Sequence, residues 1–428
     1  MRLLIKGGTV IDPAAGIKEK ADVLIEGEKV AAVEKKIRRP AGAEEIKADG
    51  CLVVPGLIDM HVHLREPGYE YKETIATGTA AAAAGGFTAV ACMPNTNPVC
   101  DQPTVVEYIL RRAEAAGFCR VYPIGAITKG QEGRELAEMG QMKEAGAVAV
   151  SDDGRPVADA RIMRLAMEYS RAFDLPVISH CEDPNLAAEG VMHEGYWSTV
   201  LGLRGMPAAA EEVMVARDLI LAEVTGARLH IAHVSTARSV ELVRAAKARG
   251  VQVTAEVTPH HLYLTDAAVQ EYDPDTKVNP PLRTEADVQA LREALADGTI
   301  DVIATDHAPH APEEKKREYN YAPFGMVGLE TALPLMAGLV REGVLSWEQL
   351  VEKMSVNPAR ILKVPGGTLV PGTTADITII DPEAEKIVDP EKFYSRGRNT
   401  PFRGWKLKGW PKVTIKGGRI IMIEGRIV

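Results

Sequence analysis

The sequence lacks a disulfide framework. Its five cysteines (Cys51, Cys92, Cys100, Cys119 and Cys181) form no C-x-x-C pair, and an odd number fits reduced thiols in the cytoplasm better than bridges in an oxidising compartment. A positive excess is also missing: 50 Lys and Arg stand against 59 Asp and Glu, a formal charge of -9, with the basic residues scattered rather than gathered into a stripe. No nucleic-acid surface is expected, and a small-molecule substrate is. No apolar run reaches membrane-spanning length, and the opening stretch MRLLIKGGTVIDP meets glycine and charge before such a run develops. The expectation is a soluble, unprocessed chain with no membrane partner. What is present is ordinary globular composition, 46% hydrophobic and 25% charged over 428 residues, enough for one large domain and a smaller one.

From Leu52 to Pro309 one unit recurs: a short β-branched run that stops at a polar cluster and is followed by an Ala/Glu/Arg-rich helical stretch. Eight such runs occur, CLVVPGLIDMHVH, FTAVACMPN, RVYPIGAIT, AVAVSDDG, PVISHCED, RLHIAHVS, VQVTAEVTP and DVIATDHAPH. Apolar strands alternating with helices predict a parallel sheet covered on both faces. Eight units predict an α/β fold of the (β/α)₈ barrel type over residues 55–362, with its site at the C-terminal ends of the strands. The flanks, 1–54 and 363–428, read as short strands with turns, and neither has enough strands to bury a core alone. A composite β-sandwich built from both ends is predicted, and IKGGTVI near the start is echoed by IKGGRII near the end. The charged segment 311–321 (APEEKKREYNY) fits a lid and a solvated loop equally.

His61 and His63 end the first run, and an i, i+2 spacing on a strand points both imidazoles the same way, a metal-ligand spacing. Two unrelated loop histidines would give the same letters. His180 at the end of run five, His233 at the end of run six and Asp306 at the end of run eight favour the metal reading, because all converge on one barrel mouth. Strands one and eight are neighbours in a closed barrel, so His61, His63 and Asp306 can share one ion while His180 and His233 share a second. Imidazole and carboxylate donors suit zinc, one or two ions per chain. Asp153 at the end of run four is placed to bridge them, although SDDG also reads as a turn with capping aspartates. Asp152 should point away. His193, His230, His260 and His261 read as structural, and His307 should face away from Asp306. Arg65, Asn95 and His310 lie on the same rim, where they can hold a substrate carboxylate or carbonyl.

The ordered motifs DMHVHLREPG, MPNTNP, SDDG, ISHCED, AHVST, KVNPPLR and ATDHAPH resemble those of bacterial type I dihydroorotases in the amidohydrolase superfamily, over essentially the whole chain. The resemblance implies reversible closure of N-carbamoyl-aspartate to dihydroorotate plus water, a step of pyrimidine biosynthesis, with water activated by the metals. It implies His61, His63 and Asp306 on one metal, His180 and His233 on the other, Asp153 between them, and Asp306 as general acid/base. Substrate contacts are implied for His63, Arg65, Asn95, Asn279, His310 and the Phe324–Gly325 backbone. Many related enzymes bridge their metals with a modified lysine, and no lysine ends the fourth run here; the aspartate matches the type I pattern. The resemblance also offers a homodimer and a complex with aspartate transcarbamoylase. Two other readings share the fold: a hydantoinase or allantoinase, against which HLREPG and the missing lysine argue, and a non-catalytic companion of aspartate transcarbamoylase, a role in which metal ligands are typically lost. All six ligands are present.

Overall fold

The structure, a computed structural model, describes residues 2–428. Eight parallel strands form the barrel: Leu57–Val62, Phe87–Cys92, Arg120–Gly125, Ala149–Ser151, Val177–Ser179, Leu229–Ile231, Val253–Val257 and Val302–Ile303. One falls within each of the eight runs read from the sequence. His61 is the second-last residue of the first strand, and His63, Asp153, His180, His233 and Asp306 sit just past their strand ends. The ring closes between the first and last strands through a parallel bridge from Val62 to His307 and the bond from His63 N–H to the His307 carbonyl, 2.8 Å.

The covering helices are shaped by ordinary local rules. Ala160–Ala172 is capped by the Asp159 carboxylate and buries Met163, Ala166, Met167 and Ser170, spaced along one face. Pro103–Ala116 begins with proline and ends on Gly117 in the left-handed conformation. Among the described residues no helix is long and apolar enough to cross a membrane.

The run CLVVPGLIDMHVH divides into two strands. Leu52–Pro55 pairs with Thr9–Val10 and Ile377–Ile380 in a sheet made by the chain ends, while Leu57–Val62 opens the barrel. Gly56 sits at the break, where an added Cβ would lie 2.2 Å from Thr88 Oγ1. The terminal sheet has nine strands from both ends of the chain and wraps its own core of Leu3, Ile5, Val23, Val53, Ile377 and Val413. Burial of these aliphatic side chains joins two flanks that could not form a core separately. The IKGG echo is not a structural repeat. Its first copy lies in a strand with a register shift between Ile5 and Gly8, and its second makes the turn joining Lys406–Lys416 to Arg419–Ile423.

Candidate active site and metal centre

A cavity of about 210 Å³ opens at the C-terminal ends of the strands. Every residue expected at the site lines it except His61, which is fully buried against His63 and His233; Gly154 and Ala308 complete the wall. Asp153 is central. Its Oδ1 lies 3.5 Å from His61 Nε2 and 3.6 Å from both His180 Nδ1 and His233 Nε2, and its Oδ2 lies 3.5 Å from His63 Nε2. Asp306 Oδ1 is 3.0 Å from His63 Nε2 and 3.4 Å from His61 Nε2. Two donor triads result, His61/His63/Asp306 and His61/Asp153/His233, each spanning less than 4.8 Å. His61 thus belongs to both. His180 stands outside either triad, yet its Nδ1 is 2.9 Å from His233 Nε2.

Several atoms here have no hydrogen-bond partner although buried: His61 Nε2, Asp153 Oδ1, His180 Nε2 and His233 Nδ1. Orphaned polar atoms are costly, and a concentration of them around carboxylates fits a cation. Electrostatics point the same way. Burial alone would raise Asp306, but His61, His63 and His233 draw its carboxyl down to about 2, and Asp153, with the same kind of neighbours, is held well below the carboxylate range. Burial opposes charge on His61 as well, and the carboxylates of Glu256, Asp153 and Asp306 outweigh it and raise its pKa.

The imidazoles are aimed from behind. His61 Nδ1 meets Glu256 Oε1 at 2.5 Å, which leaves Nε2 as the lone pair facing the cluster; the other Glu256 oxygen meets His230 Nε2 at 3.0 Å. Asn95 Oδ1 holds His63 Nδ1 at 2.9 Å, so this expected substrate contact also orients an imidazole. Asp59, fully buried, accepts from Thr305 Oγ1 (2.5 Å) and from the His61 N–H (3.1 Å), tying the first strand to the last. Glu182 Oε2 takes the Asn279 amide at 2.7 Å and lies 3.7 Å from His180 Nε2. Sequence reasoning assigned no role to Glu256, Asp59 or Glu182. An acidic residue inside the apolar run VQVTAEVTP was the available signal for Glu256.

The rim carries positive charge. Arg65 donates through Nε to the Pro309 carbonyl, 3.2 Å, and lies 3.5 Å from His310 Nε2. His310 Nε2 is 2.8 Å from the Phe324 carbonyl, and burial together with Arg65, Lys72 and Lys315 depresses its pKa well below the usual range, so it is neutral. The Gly325 N–H already donates to Lys277 O (2.9 Å), and the Phe324 and Gly325 carbonyls are engaged as well, so the Phe324 N–H is the backbone group left among those expected to meet substrate. His307 faces Glu73 at 3.3 Å, away from Asp306. His193, His230, His260 and His261 lie outside the cavity wall.

Backbone strain collects here. Arg65 (φ 62°), His233 (φ 32°) and Asp306 (φ 48°) are non-glycine residues in the left-handed region, each costing about 1–3 kcal/mol. The HLREPG and MPNTNP motifs interlock beside them: Asn97 N–H donates to Pro67 O at 3.0 Å, and a Cβ on Gly68 (φ 97°) would meet Asn97 O at 2.1 Å. A larger cavity of about 910 Å³ lies along the 311–321 segment and shares only His310 with this site. It has none of the clustered donors, so the chemistry belongs to the smaller one.

A strand-end cluster of histidines and aspartates on a (β/α)₈ barrel defines the amidohydrolase class, and the comparisons agree. The Amidohydrolase family matches residues 200–422, and the family described as Dihydro-orotase-like matches residues 50–239. The L-hydantoinase (dihydropyrimidinase) of Arthrobacter aurescens superposes with a TM-score of 0.91 at 26% identity, covering 100% of this chain and 97% of that one. A dihydroorotase of Pelotomaculum thermopropionicum is 65% identical over 100% of both chains, and one of Syntrophotalea carbinolica is 59% identical over 98% of this chain and 99% of its own. The chain belongs to the dihydroorotase family.

Proposed function

We propose that the cavity closes N-carbamoyl-L-aspartate to dihydroorotate, reversibly and with release of water, on one or two zinc ions. The observation that carries this reading is the gathering of His and Asp donors into two triads, with His61 Nε2 and Asp153 Oδ1 buried and unpartnered, beside a cavity that Arg65 also lines. His61, His63 and Asp306 would hold one ion, His180 and His233 the other, and Asp153 would reach both. A bound divalent cation would polarise the reacting carbonyl group and acidify water, and imidazole with carboxylate donors suits zinc, with manganese or cobalt as substitutes. Arg65 and Asn95 hold the substrate carboxylate that does not react, and His310, being neutral, can donate or accept a hydrogen bond without adding charge. Asn279 offers its Oδ1, buried without a partner, to a substrate N–H. In closure Asp306 takes the proton from the ureido nitrogen as that nitrogen attacks the side-chain carboxylate carbon, and one carboxylate oxygen then leaves as water, carrying that proton and one from solvent; in hydrolysis water adds to the ring carbonyl and Asp306 passes a proton to the leaving nitrogen.

The same proposal treats 55–362 as the catalytic unit and 1–54 with 363–428 as a second. Five buried free thiols support a reducing compartment, the cytoplasm. A homodimer and a complex with aspartate transcarbamoylase are its assembly readings, checked by light scattering and co-purification. The test of function is to offer the purified chain carbamoyl-aspartate, dihydroorotate, hydantoin and allantoin in turn. Interconversion of the first two is expected. Preferential opening of hydantoin or allantoin would replace the proposal with the hydantoinase-type reading, and no turnover at all would favour the non-catalytic companion.

A further inference from the structure

Two buried lysines bond the segment that leads into the cavity wall, and the proposed reaction uses neither. Lys277 is 2% exposed and Lys315 6%, and neither ammonium is ion-paired among the described residues. Both are spent on backbone carbonyls of one segment. Lys277 Nζ donates to Tyr319 O (2.9 Å) and Asn320 O (3.0 Å) and lies 4.6 Å from the centre of the Phe324 ring. Lys315 Nζ donates to Pro323 O and Gly325 O, both at 3.0 Å. The Lys277 carbonyl accepts from the Gly325 N–H at 2.9 Å, and Asn399 Nδ2 reaches the Gly325 carbonyl at 3.0 Å.

Burying an ammonium without a carboxylate is costly, and burial pushes both of these down to about 8. Ordinary loop closure does not call for that: a leucine would fill the space, and a carboxylate partner would cancel the charge. A cation ligated by two carbonyls instead fixes the path of the backbone by charge-assisted bonds. That backbone leads from the charged stretch 311–321, whose Lys316 and Arg317 are exposed, into Phe324 and Gly325 on the cavity wall. Lys277 also stands two residues before Asn279, which lines the same cavity as Phe324 and Gly325.

We propose that Lys277 and Lys315 are positioning residues for substrate: their ammonium groups clasp the 319–325 backbone from two sides and so set Phe324 and Gly325 against the bound molecule. This rests on the reading of the cavity as the substrate site. The clasp is a binding device, separate from the metal cluster, so its loss must appear in KM rather than in the chemical step.

The experiment compares wild type with Lys277→Met and Lys315→Met. The readouts are KM and kcat for dihydroorotate hydrolysis, bound metal by mass spectrometry, and tryptic cleavage after Lys316 or Arg317. Each Met variant is expected to raise KM by about tenfold or more while kcat stays within about threefold and metal content is unchanged. Cleavage should speed up, and saturating dihydroorotate should slow it. Lys277→Gln and Lys315→Gln keep an N–H donor for the carbonyls and should recover part of the lost KM; they also serve if a Met variant does not fold. Wild-type KM and wild-type cleavage in the variants would overturn the proposal, as would a fall in kcat accompanied by loss of metal. Absence of turnover in wild type would instead strike at the reading of the site.

Discussion

Glu256 stands behind the cavity wall, where it accepts from the His233 N–H at 3.3 Å, and it decides which nitrogen of His61 is free to bind. One carboxylate oxygen holds His61 Nδ1 and the other holds His230, so ring orientation and tautomer are set together. Glu256→Gln should weaken metal affinity by about 10–100-fold, the usual scale for such outer partners, measured by competition with a chelator. Unchanged affinity would show that His61 is oriented by packing alone. Asp306 is the opposite case, a residue facing both donors and cavity. Asp306→Asn should lower kcat by about 10²–10⁴-fold with a much smaller change in KM, because an amide cannot carry the proton. If turnover survives, His310 is the next base to test. Arg65→Met should cost about 1.5–3 kcal/mol in kcat/KM, the worth of a charged hydrogen bond, chiefly through KM. A wild-type KM would remove Arg65 from the substrate.

Between strands, the site depends on links that a linear reading passes over. The eight strands were legible because their β-branched runs stop at polar clusters, and the converging strand ends made the His and Asp set legible too. Asp59 was not, although it stands two residues before His61: nothing in the spacing says that it reaches across the barrel seam to Thr305. The same holds for Asn95, which lines the cavity but whose bond to His63 needs coordinates. The division at Gly56 was hidden because both halves of CLVVPGLIDMHVH are equally apolar. In the charged segment 311–321, composition suggested a lid or a solvated loop. Lys315 and Tyr319 in fact turn inward and are buried.

Glu330 joins the barrel to the C-terminal flank by accepting the N–H groups of Tyr394 and Ser395, each at 3.1 Å. Burial pushes its carboxyl up from an ordinary 4.5 to about 8, and nearby Glu73 adds to the rise. A raised value means that the folded chain keeps the proton longer than the unfolded chain. The stabilisation from this group is complete below pH 4.5 and is lost as pH rises through about 8. Glu330→Gln should therefore remove a downward slope of up to about 1.4 kcal/mol per pH unit across that window. Thermal melts of both proteins from acid to mild alkali check this. Parallel curves would mean that Glu330 is ionised throughout.

At the scale of the whole molecule, the reaction carries its own signature. Carbamoyl-aspartate has two carboxylates near neutrality and dihydroorotate keeps one, so each ring closed takes up a proton. The final ratio should move about tenfold toward dihydroorotate for each unit of pH fall, about 1.4 kcal/mol, while the reacting carboxylate stays ionised. Approached from either compound, the same ratio must be reached. The barrel supplies the cluster, the terminal sheet anchors the first strand through Leu52–Pro55, and one cavity is lined by both Arg65 and the donors His63, Asp153, His180, His233 and Asp306. The most direct test joins these parts: measure dihydroorotate hydrolysis by the intact chain before metal removal, after exhaustive chelation, and after titration with zinc. Turnover should vanish with the metal and return at one or two equivalents per chain. Full activity in a chain shown by mass spectrometry to be free of metal would contradict the metal-dependent mechanism.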